Sequence, residues 1–252
     1  MIRKKVTIVK IKYYLHFDII GAKLLCMVIN EIFYSIQGEG SLAGMPSVFI
    51  RLAGCPLRCK WCDTKYAWSP DAGTTYSVQH LLGEISRYPA HHVVITGGEP
   101  FACDKLPELC AALKSTDVHI TIETAGIKYI ENLSCDLMSI SPKLDNSIPA
   151  DPLLAAEHEK YCHAIESYQR LIEDYNYQIK FVVDAPEDLD DIARTLSQLK
   201  NVNPNKIFLM PQAVSRDEYI EKSLYLVEVC KQTGFAYSPR LQVALYNRQK
   251  GK

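Results

Sequence analysis

The sequence has no excess of charge of either sign, no apolar run long enough to cross a membrane and no internal repeat. Its 28 lysines and arginines are balanced by 29 aspartates and glutamates, and the formal net charge is −1. No global field would therefore attract nucleic acid or an anionic membrane surface. Near the N-terminus, charged side chains such as Lys10, Lys12 and Asp18 interrupt the apolar residues, which argues against a signal-peptide core. We expect neither a membrane nor a nucleic acid as partner.

The nine cysteines are an odd number and cannot all pair in disulfides. Because no secretory signal precedes them, we expect reduced thiols and a cytoplasmic location. Free cysteine is among the residues most often buried in a core. Five cysteines on apolar faces of predicted elements are assigned to the core: Cys103, Cys110, Cys135, Cys162 and Cys230.

The first 26 residues lack clear turn or cap signals, whereas "MVINEIFYSIQGEG" from Met27 reads as the start of a strand. We expect residues 1–26 to be a non-native or disordered extension and residues 27–252 to form a single domain. The alternative is a genuine N-terminal strand or helix that packs on the edge of this domain.

Short β-branched segments alternate with amphipathic helical segments along the rest of the chain. Strands are predicted at "SVFIRL", "HVVIT", "VHITIET", "CDLMSIS", "QIKFVV", "NKIFLM" and "RLQVALY". Helices are predicted to begin at Ser77, near Pro186 and at Ser215, the last of them ending at Gly234. Apolar residues at three-to-four spacing predict one long helix over about 151–175.

Alternating strands and helices indicate repeated βα units and a mostly parallel sheet. Six or so units are too few to close an eightfold barrel, so we predict an α/β fold with an incomplete barrel or an open curved sheet. Polar or glycine-rich segments, "TGGEP", "ETAG", "SPK" and "MPQ", follow four of the strands. Because ligands bind at the carboxyl edge of such sheets, we expect these segments to meet at one mouth.

Three cysteines, Cys55, Cys59 and Cys62, lie within eight residues in the spacing C-x3-C-x2-C. A structural zinc site would need a fourth ligand, for which Asp63 or a distant cysteine is available. A 4Fe–4S cluster held by three cysteines instead keeps one iron open for another ligand. Arg58, beside Cys59, would ease the negative charge of the thiolates.

This triplet after the first strand, followed by "GGEP" after the next strand, resembles the radical S-adenosylmethionine superfamily. The resemblance implies an incomplete (β/α)6-type barrel. It also implies a 4Fe–4S cluster on Cys55, Cys59 and Cys62 whose open iron binds S-adenosylmethionine (SAM). One electron from the cluster would cleave SAM and release a 5′-deoxyadenosyl radical.

Within that superfamily, "FYSIQGEGSLAGMPSVFIRLAGCPLRCKWCDT", "TGGEP", "ETAG" and "SPK" together resemble the 7-carboxy-7-deazaguanine synthase family, over residues 27 to about 246. This family belongs to queuosine and 7-deazapurine biosynthesis. The resemblance implies a lyase that converts 6-carboxy-5,6,7,8-tetrahydropterin to 7-carboxy-7-deazaguanine and ammonia, through hydrogen abstraction and ring contraction. It further implies magnesium, a flavodoxin or ferredoxin as electron donor, and a homodimer.

The same resemblance assigns roles to individual residues. It places Mg²⁺ on Thr64. Predicted substrate contacts are Ile36, Gln37, Gly38, Arg51 and Thr96. Predicted SAM contacts are Trp61, Cys62, Asp63, Gly98, Ser141, Pro142, Lys143 and Gln212.

Several of these residues have simpler explanations. Thr64 could cap its loop through the hydroxyl, and Lys143 could be a solvated surface charge. Arg51 could form an ion pair with Glu31 or Glu39 instead of binding a substrate carboxylate. Glu99 is as consistent with a loop brace as with a ligand contact.

Two segments depart from the family pattern. "MPQA" stands where relatives carry Gln-Pro followed by an acidic residue, so Gln212 is a substitute. Some relatives end in a proline whose carboxylate contacts substrate, whereas this chain ends in "YNRQKGK". The competing functions are a protein that activates glycyl-radical enzymes, and a zinc or iron–sulfur module without catalytic activity. The latter leaves "TGGEP" and "SPK" unexplained.

Overall fold

Nine strands form one sheet in the computed structural model, which describes residues 26–247 and 251. The strands are β1 (Cys26–Ile36), β2 (Pro46–Leu52), β3 (Thr74–Ser77), β4 (His92–Gly97), β5 (His119–Thr124), β6 (Leu137–Ile140), β7 (Tyr177–Val183), β8 (Ile207–Pro211) and β9 (Ala236–Tyr237). The helices are α1 (Val78–Ile85), α2 (Leu106–Lys114), α3 (Pro152–Glu159), α4 (Ile165–Asp174), α5 (Asp188–Ser197), α6 (Arg216–Thr233) and α7 (Leu241–Tyr246).

The strand order is β3-β1-β2-β4-β5-β6-β7-β8-β9. The seven strands from β2 to β9 in this order pair in parallel, whereas β1 is antiparallel to both β2 and β3. Within the described residues, β3 and β9 are the two free edges, so the barrel is not closed. The predicted incomplete barrel is therefore confirmed.

The core lies between the sheet and the helices. β7 is buried at all seven positions, as expected for a parallel strand covered on both faces. On α4, Tyr168, Leu171 and Ile172 form the buried stripe, while Val48 and Ile50 are fully buried on β2. Because these strands are parallel, their carboxyl ends lie at one common edge of the sheet, where the polar loops follow.

The predicted caps at the helix ends are confirmed. Ser77 Oγ accepts a hydrogen bond from His80 N at 3.2 Å at the start of α1. At α6, Ser215 Oγ accepts from Glu218 N at 3.3 Å, and Gly234 ends the helix at φ +77°. Each cap satisfies a backbone group that the helix itself leaves unpaired.

The predicted long helix over 151–175 is wrong. The segment forms two helices, α3 and α4, separated by a turn in which His163 has φ +50°. Apolar periodicity over the whole segment masks the break, because one left-handed residue interrupts the helix without disturbing the residue pattern on either side.

The predicted last strand "RLQVALY" is also wrong. Residues Leu241–Tyr246 form helix α7, and the last strand is the two-residue β9 at Ala236–Tyr237. A short apolar run fits a buried strand and a short helix equally well, and here Val243 alone of the run is fully buried.

The described chain begins with Cys26, which is already part of β1 and pairs with Ser77 of β3. The predicted extension over residues 1–26 otherwise lies outside the described residues. None of the helices in the described part of the chain has the length and apolar character to cross a membrane.

Candidate functional site

A cavity of about 280 Å³ opens where the parallel strands end. All but one of the residues predicted from the sequence to form the site line it: Ile36, Gln37, Gly38, Arg51, Cys55, Cys59, Trp61, Cys62, Asp63, Thr64, Thr96, Gly98, Ser141, Lys143 and Gln212. Pro142 is the exception, being buried beside Lys143 and not part of the lining. The cavity therefore gives no support to its predicted contact with SAM.

The three cysteines of the triplet face this cavity from the loop after β2. Among the described residues, only Asp145, His163 and Asp191 bring three ligand atoms within 4.8 Å of one another, so at least one pair of the triplet sulfurs lies farther apart than that. Thiolates bound to a single zinc ion, each about 2.3 Å from the metal, lie no more than about 4.6 Å apart. The donors therefore fit a cluster with several metal atoms better than a single zinc ion.

Burial raises the pKa of the Cys55 and Cys59 thiols to about 12, and the neighbouring Glu99 adds to the rise at Cys55. Thiolates at these positions thus require a positive partner, which the irons of a cluster supply.

Lys143 lies near these thiols, and its positive charge acts against the rise in pKa at both Cys55 and Cys59. Its Nζ donates to the carbonyl oxygen and the hydroxyl of Ser141 at 2.6 and 2.9 Å. Lys143 is therefore not a solvated surface charge, because its side chain lines the cavity.

A buried histidine on α3 holds the cysteine loop in place. His158 is fully buried, and its Nδ1 accepts a hydrogen bond from Arg58 N at 2.9 Å. Ser147 Oγ donates to Leu144 O, so His158 Nε2–H donates to Ser147 Oγ at 2.8 Å. Burial lowers the pKa of His158 to about 4, with a smaller contribution from Lys143, and the imidazole is neutral. This side chain therefore connects the cysteine loop to the segment after β6.

The glycines of "TGGEP" are required by close backbone packing. A Cβ on Gly98 would lie 2.2 Å from Gly54 O, and one on Gly97, at φ +149°, would lie 2.5 Å from Leu52 O. Gly98 N donates to Leu52 O and Glu99 N to Gly54 O, both at 2.9 Å. The two glycines thus bring the loop after β4 against the start of the cysteine loop.

Glu99 braces this region from within. The residue is 2% exposed, and its carboxylate accepts hydrogen bonds from Phe101 N, Ala125 N and Thr124 Oγ1 at 2.9, 2.7 and 2.5 Å. The structure thus favours the brace over a ligand contact for Glu99.

Thr64 stands at the start of a single 3-10 turn, Lys65–Ala67, and its side chain makes no capping hydrogen bond there. The simpler explanation for Thr64 is therefore not observed. Its Oγ1 lies 3.6 Å from Cys62 Sγ and faces the cavity. A hydroxyl so placed is available as an oxygen ligand.

Arg51 lines the cavity and is also engaged in an ion pair. Its Nε lies 2.6 Å from Glu31 Oε1, which also accepts a hydrogen bond from the Tyr66 hydroxyl at 2.9 Å. The guanidinium carbon lies 5.7 Å from the centre of the Phe33 ring. The predicted alternative, an ion pair with Glu31, is thus observed, and it uses only the Nε of Arg51. The guanidinium has further N–H donors on its two Nη atoms.

A charged network that sequence reasoning missed forms one wall of the cavity. Lys180 Nζ lies 2.8 Å from Glu39 Oε2 and 2.5 Å from Glu123 Oε2. Gln37 Nε2 donates to Glu123 Oε1 at 3.1 Å. The available signal was a lysine inside the apolar strand "QIKFVV", since lysine is almost never fully buried without a partner.

The C-terminal segment contributes a second missed part of the wall. Arg240 donates to Asp63 Oδ2 at 2.8 Å, and Gln242 Nε2 donates to Glu39 Oε1 at 2.7 Å. Leu241 N donates to Gly38 O at 3.0 Å, which joins α7 to the loop after β1. This chain therefore completes its cavity with the side chains of Arg240 and Gln242.

Comparison with known proteins agrees with this geometry. Residues 49–143 match the model of the Radical SAM superfamily. The 7-carboxy-7-deazaguanine synthase of Halobacterium salinarum is 38% identical over 233 residues, covering 87% of this chain and 90% of that protein. The enzyme of the same name from Escherichia coli K12 is 33% identical over 203 residues, covering 73% and 83%.

A solved structure shows the same fold. The crystal structure of QueE from Escherichia coli matches with a TM-score of 0.63 and 29% sequence identity, over 84% of this chain and 93% of that chain. The identity, coverage and fold together lead to one conclusion: this chain belongs to the 7-carboxy-7-deazaguanine synthase family of radical SAM enzymes.

Proposed function

We propose that this chain converts 6-carboxy-5,6,7,8-tetrahydropterin to 7-carboxy-7-deazaguanine and ammonia. The observation that carries the proposal is the meeting of the cysteine triplet with Gln37, Arg51 and Thr64 on one cavity. A cavity lined by charged and amide side chains suits a small carboxylated heterocycle. The relatives do not favour the alternative of an activator of glycyl-radical enzymes.

Membership of the radical SAM superfamily implies a 4Fe–4S cluster and SAM. Cys55, Cys59 and Cys62 would hold the cluster and leave one iron open. When bound, the cluster supplies the electron that cleaves SAM to a 5′-deoxyadenosyl radical. We assign SAM binding to residues that line the same cavity as the cysteines: Trp61, Cys62, Asp63, Gly98, Ser141, Lys143 and Gln212.

Arg51 would bind the carboxylate of the substrate. Its Nε contacts Glu31, and its two Nη groups would donate to the substrate carboxylate. Ile36, Gln37, Gly38 and Thr96 line the adjoining wall, where amide and backbone groups can hydrogen-bond to a pterin edge. Arg51 therefore orients one end of the substrate, and the loop after β1 orients the other.

We also propose that Thr64 provides an oxygen ligand for magnesium. Mg²⁺ takes oxygen ligands and keeps several waters, so one hydroxyl and a substrate carboxylate suffice to place it. The uncapped Thr64 hydroxyl at the cavity supports this assignment. A flavodoxin or ferredoxin as electron donor, a homodimer and a cytoplasmic location stay predictions.

The deciding experiment is an anaerobic assay of the reconstituted protein with 6-carboxy-5,6,7,8-tetrahydropterin, SAM, reductant and magnesium, read by mass spectrometry. We expect 7-carboxy-7-deazaguanine from the wild type, none from Cys59→Ser, and wild-type amounts from the matched Cys230→Ser, whose thiol is not part of the cavity lining. Formation of 5′-deoxyadenosine without the deazapurine would refute the substrate assignment.

A further inference from the structure

Lys180 is a lysine buried within the barrel rather than on its surface, with 1% of its side chain exposed. It lies on β7, and its ammonium contacts the carboxylates of Glu39 and Glu123. Burial by itself lowers the pKa of an amine, but these two carboxylates raise the pKa of Lys180 above its ordinary value. The site therefore holds a permanent cation between two anions.

Each carboxylate is also held through its second oxygen. Glu123 Oε1 accepts from Gln37 Nε2 at 3.1 Å, and Glu39 Oε1 accepts from Gln242 Nε2 at 2.7 Å. Three separate parts of the wall, namely the loop after β1, strand β5 and helix α7, are thus joined around one ammonium group. Loss of the Lys180 ammonium would remove the one group that contacts both Glu39 and Glu123.

The carboxylates, unlike the ammonium, are partly open to the cavity. Glu39 and Glu123 keep 19% and 17% of their side chains exposed. Two carboxylates face one ammonium, and Arg240, which lies 3.7 Å from Glu39, is itself paired with Asp63. The wall therefore presents acceptor oxygens with an excess of negative charge, which suits a ligand edge rich in N–H donors.

We propose that Lys180 is a positioning residue for the substrate: it holds Glu39 and Glu123 so that their oxygens accept hydrogen bonds from the N–H groups of the pterin. This inference rests on the proposed function. Lys180 does not transfer a proton in this role. It sets the separation and orientation of two acceptors that would otherwise repel each other.

A purely structural ion pair would have different consequences. If Lys180 only stabilised the fold, its loss would weaken cluster retention, SAM binding and substrate binding together. If it positions the two acceptors, substrate binding is affected specifically, because Lys180 pairs with Glu39 and Glu123. Lys143 instead hydrogen-bonds to Ser141, and the cysteine loop is held by His158.

The test compares Lys180→Met with Lys222→Met in the reconstituted holoenzyme. Lys222 is a matched control, since its Nζ also bridges two carboxylates, Asp184 and Glu218, at 2.6 and 2.8 Å, and it does not line this cavity. The measurements are KM and kcat for 6-carboxy-5,6,7,8-tetrahydropterin, the dissociation constant for SAM, and iron content. If Lys180→Met does not fold, Lys180→Gln takes its place, because it removes the charge but keeps a side-chain N–H donor and leaves both carboxylates unchanged.

We expect Lys180→Met to raise KM for the pterin by about tenfold or more, as for loss of a hydrogen bond to a charged group. SAM affinity and iron content should stay within about twofold of wild type, and Lys222→Met should leave all values unchanged. A pterin KM within about twofold of wild type, or a parallel loss of SAM affinity, would overturn the inference. A wild-type enzyme without product would instead count against the proposed function itself.

Discussion

Replacing His158 should loosen the loop that carries the cluster cysteines, and the size of the effect follows from one hydrogen bond. His158→Leu leaves Arg58 N without its acceptor, and a buried unsatisfied donor costs about 1–3 kcal/mol. In a domain of this size 1 kcal/mol shifts Tm by about 2–4 °C, so we expect a fall of about 2–12 °C. The free energy is lost locally, beside Cys59.

His158→Asn is the matched variant, because asparagine and leucine have the same number of side-chain heavy atoms and both branch at Cγ. The asparagine Oδ1 can occupy the position of Nδ1 and accept from Arg58 N, so we expect it to restore at least half of the lost Tm. Thermal unfolding monitored by circular dichroism gives the Tm. Hydrogen exchange of the peptide that includes Arg58 reports on the loop itself.

Exchange at Arg58 should be faster in His158→Leu than in His158→Asn. Equal Tm values for the two variants would refute the reasoning, since the lost volume and not the hydrogen bond would then explain the effect. A leucine variant as stable as wild type would refute it as well.

Three further predictions concern pH, magnesium and packing. Because the pKa of His158 is lowered to about 4 in the fold, the unfolded chain binds more protons between pH 4 and 6.5, and the free energy of unfolding should fall as the pH drops from about 6.5 toward 4. Urea unfolding of the wild type should show this fall, and a pH dependence of the same size in His158→Asn would contradict the prediction. Thr64→Ala should abolish the response of activity to added magnesium while SAM cleavage persists; an unchanged magnesium titration would remove Thr64 from the site. Gly98→Ala places a Cβ 2.2 Å from Gly54 O, so it should lower the free energy of unfolding by about 1–3 kcal/mol and reduce the iron content. Normal iron content measured after reconstitution would count against the close packing of Gly98 on Gly54.

Much of the fold could be predicted because its signals are local. Seven short β-branched segments predicted strands, and six of them are strands in the structure. The caps at Ser77, Ser215 and Gly234 were readable because each depends on residues within a few positions in the chain.

The errors arose where an apolar pattern was compatible with two structures. The segment over 151–175 carries a helical pattern on both sides of His163, and "RLQVALY" is too short for its period to separate strand from helix. Contacts made after folding decided both: His158 turns inward to the cysteine loop, and α7 follows the loop after β1 through the bond from Leu241 N to Gly38 O.

The sequence by itself determined the chemistry: the spacing of Cys55, Cys59 and Cys62, the glycines of "TGGEP" and the Thr64 that follows the triplet are all local patterns. Only the tertiary structure decided which distant charges share the cavity. Lys180 meets Glu39 across 141 positions and Arg240 meets Asp63 across 177. The physical reason is that the pairing of buried charges depends on which strands and loops the sheet brings together. A local sequence pattern carries no information on which distant residues become neighbours in space.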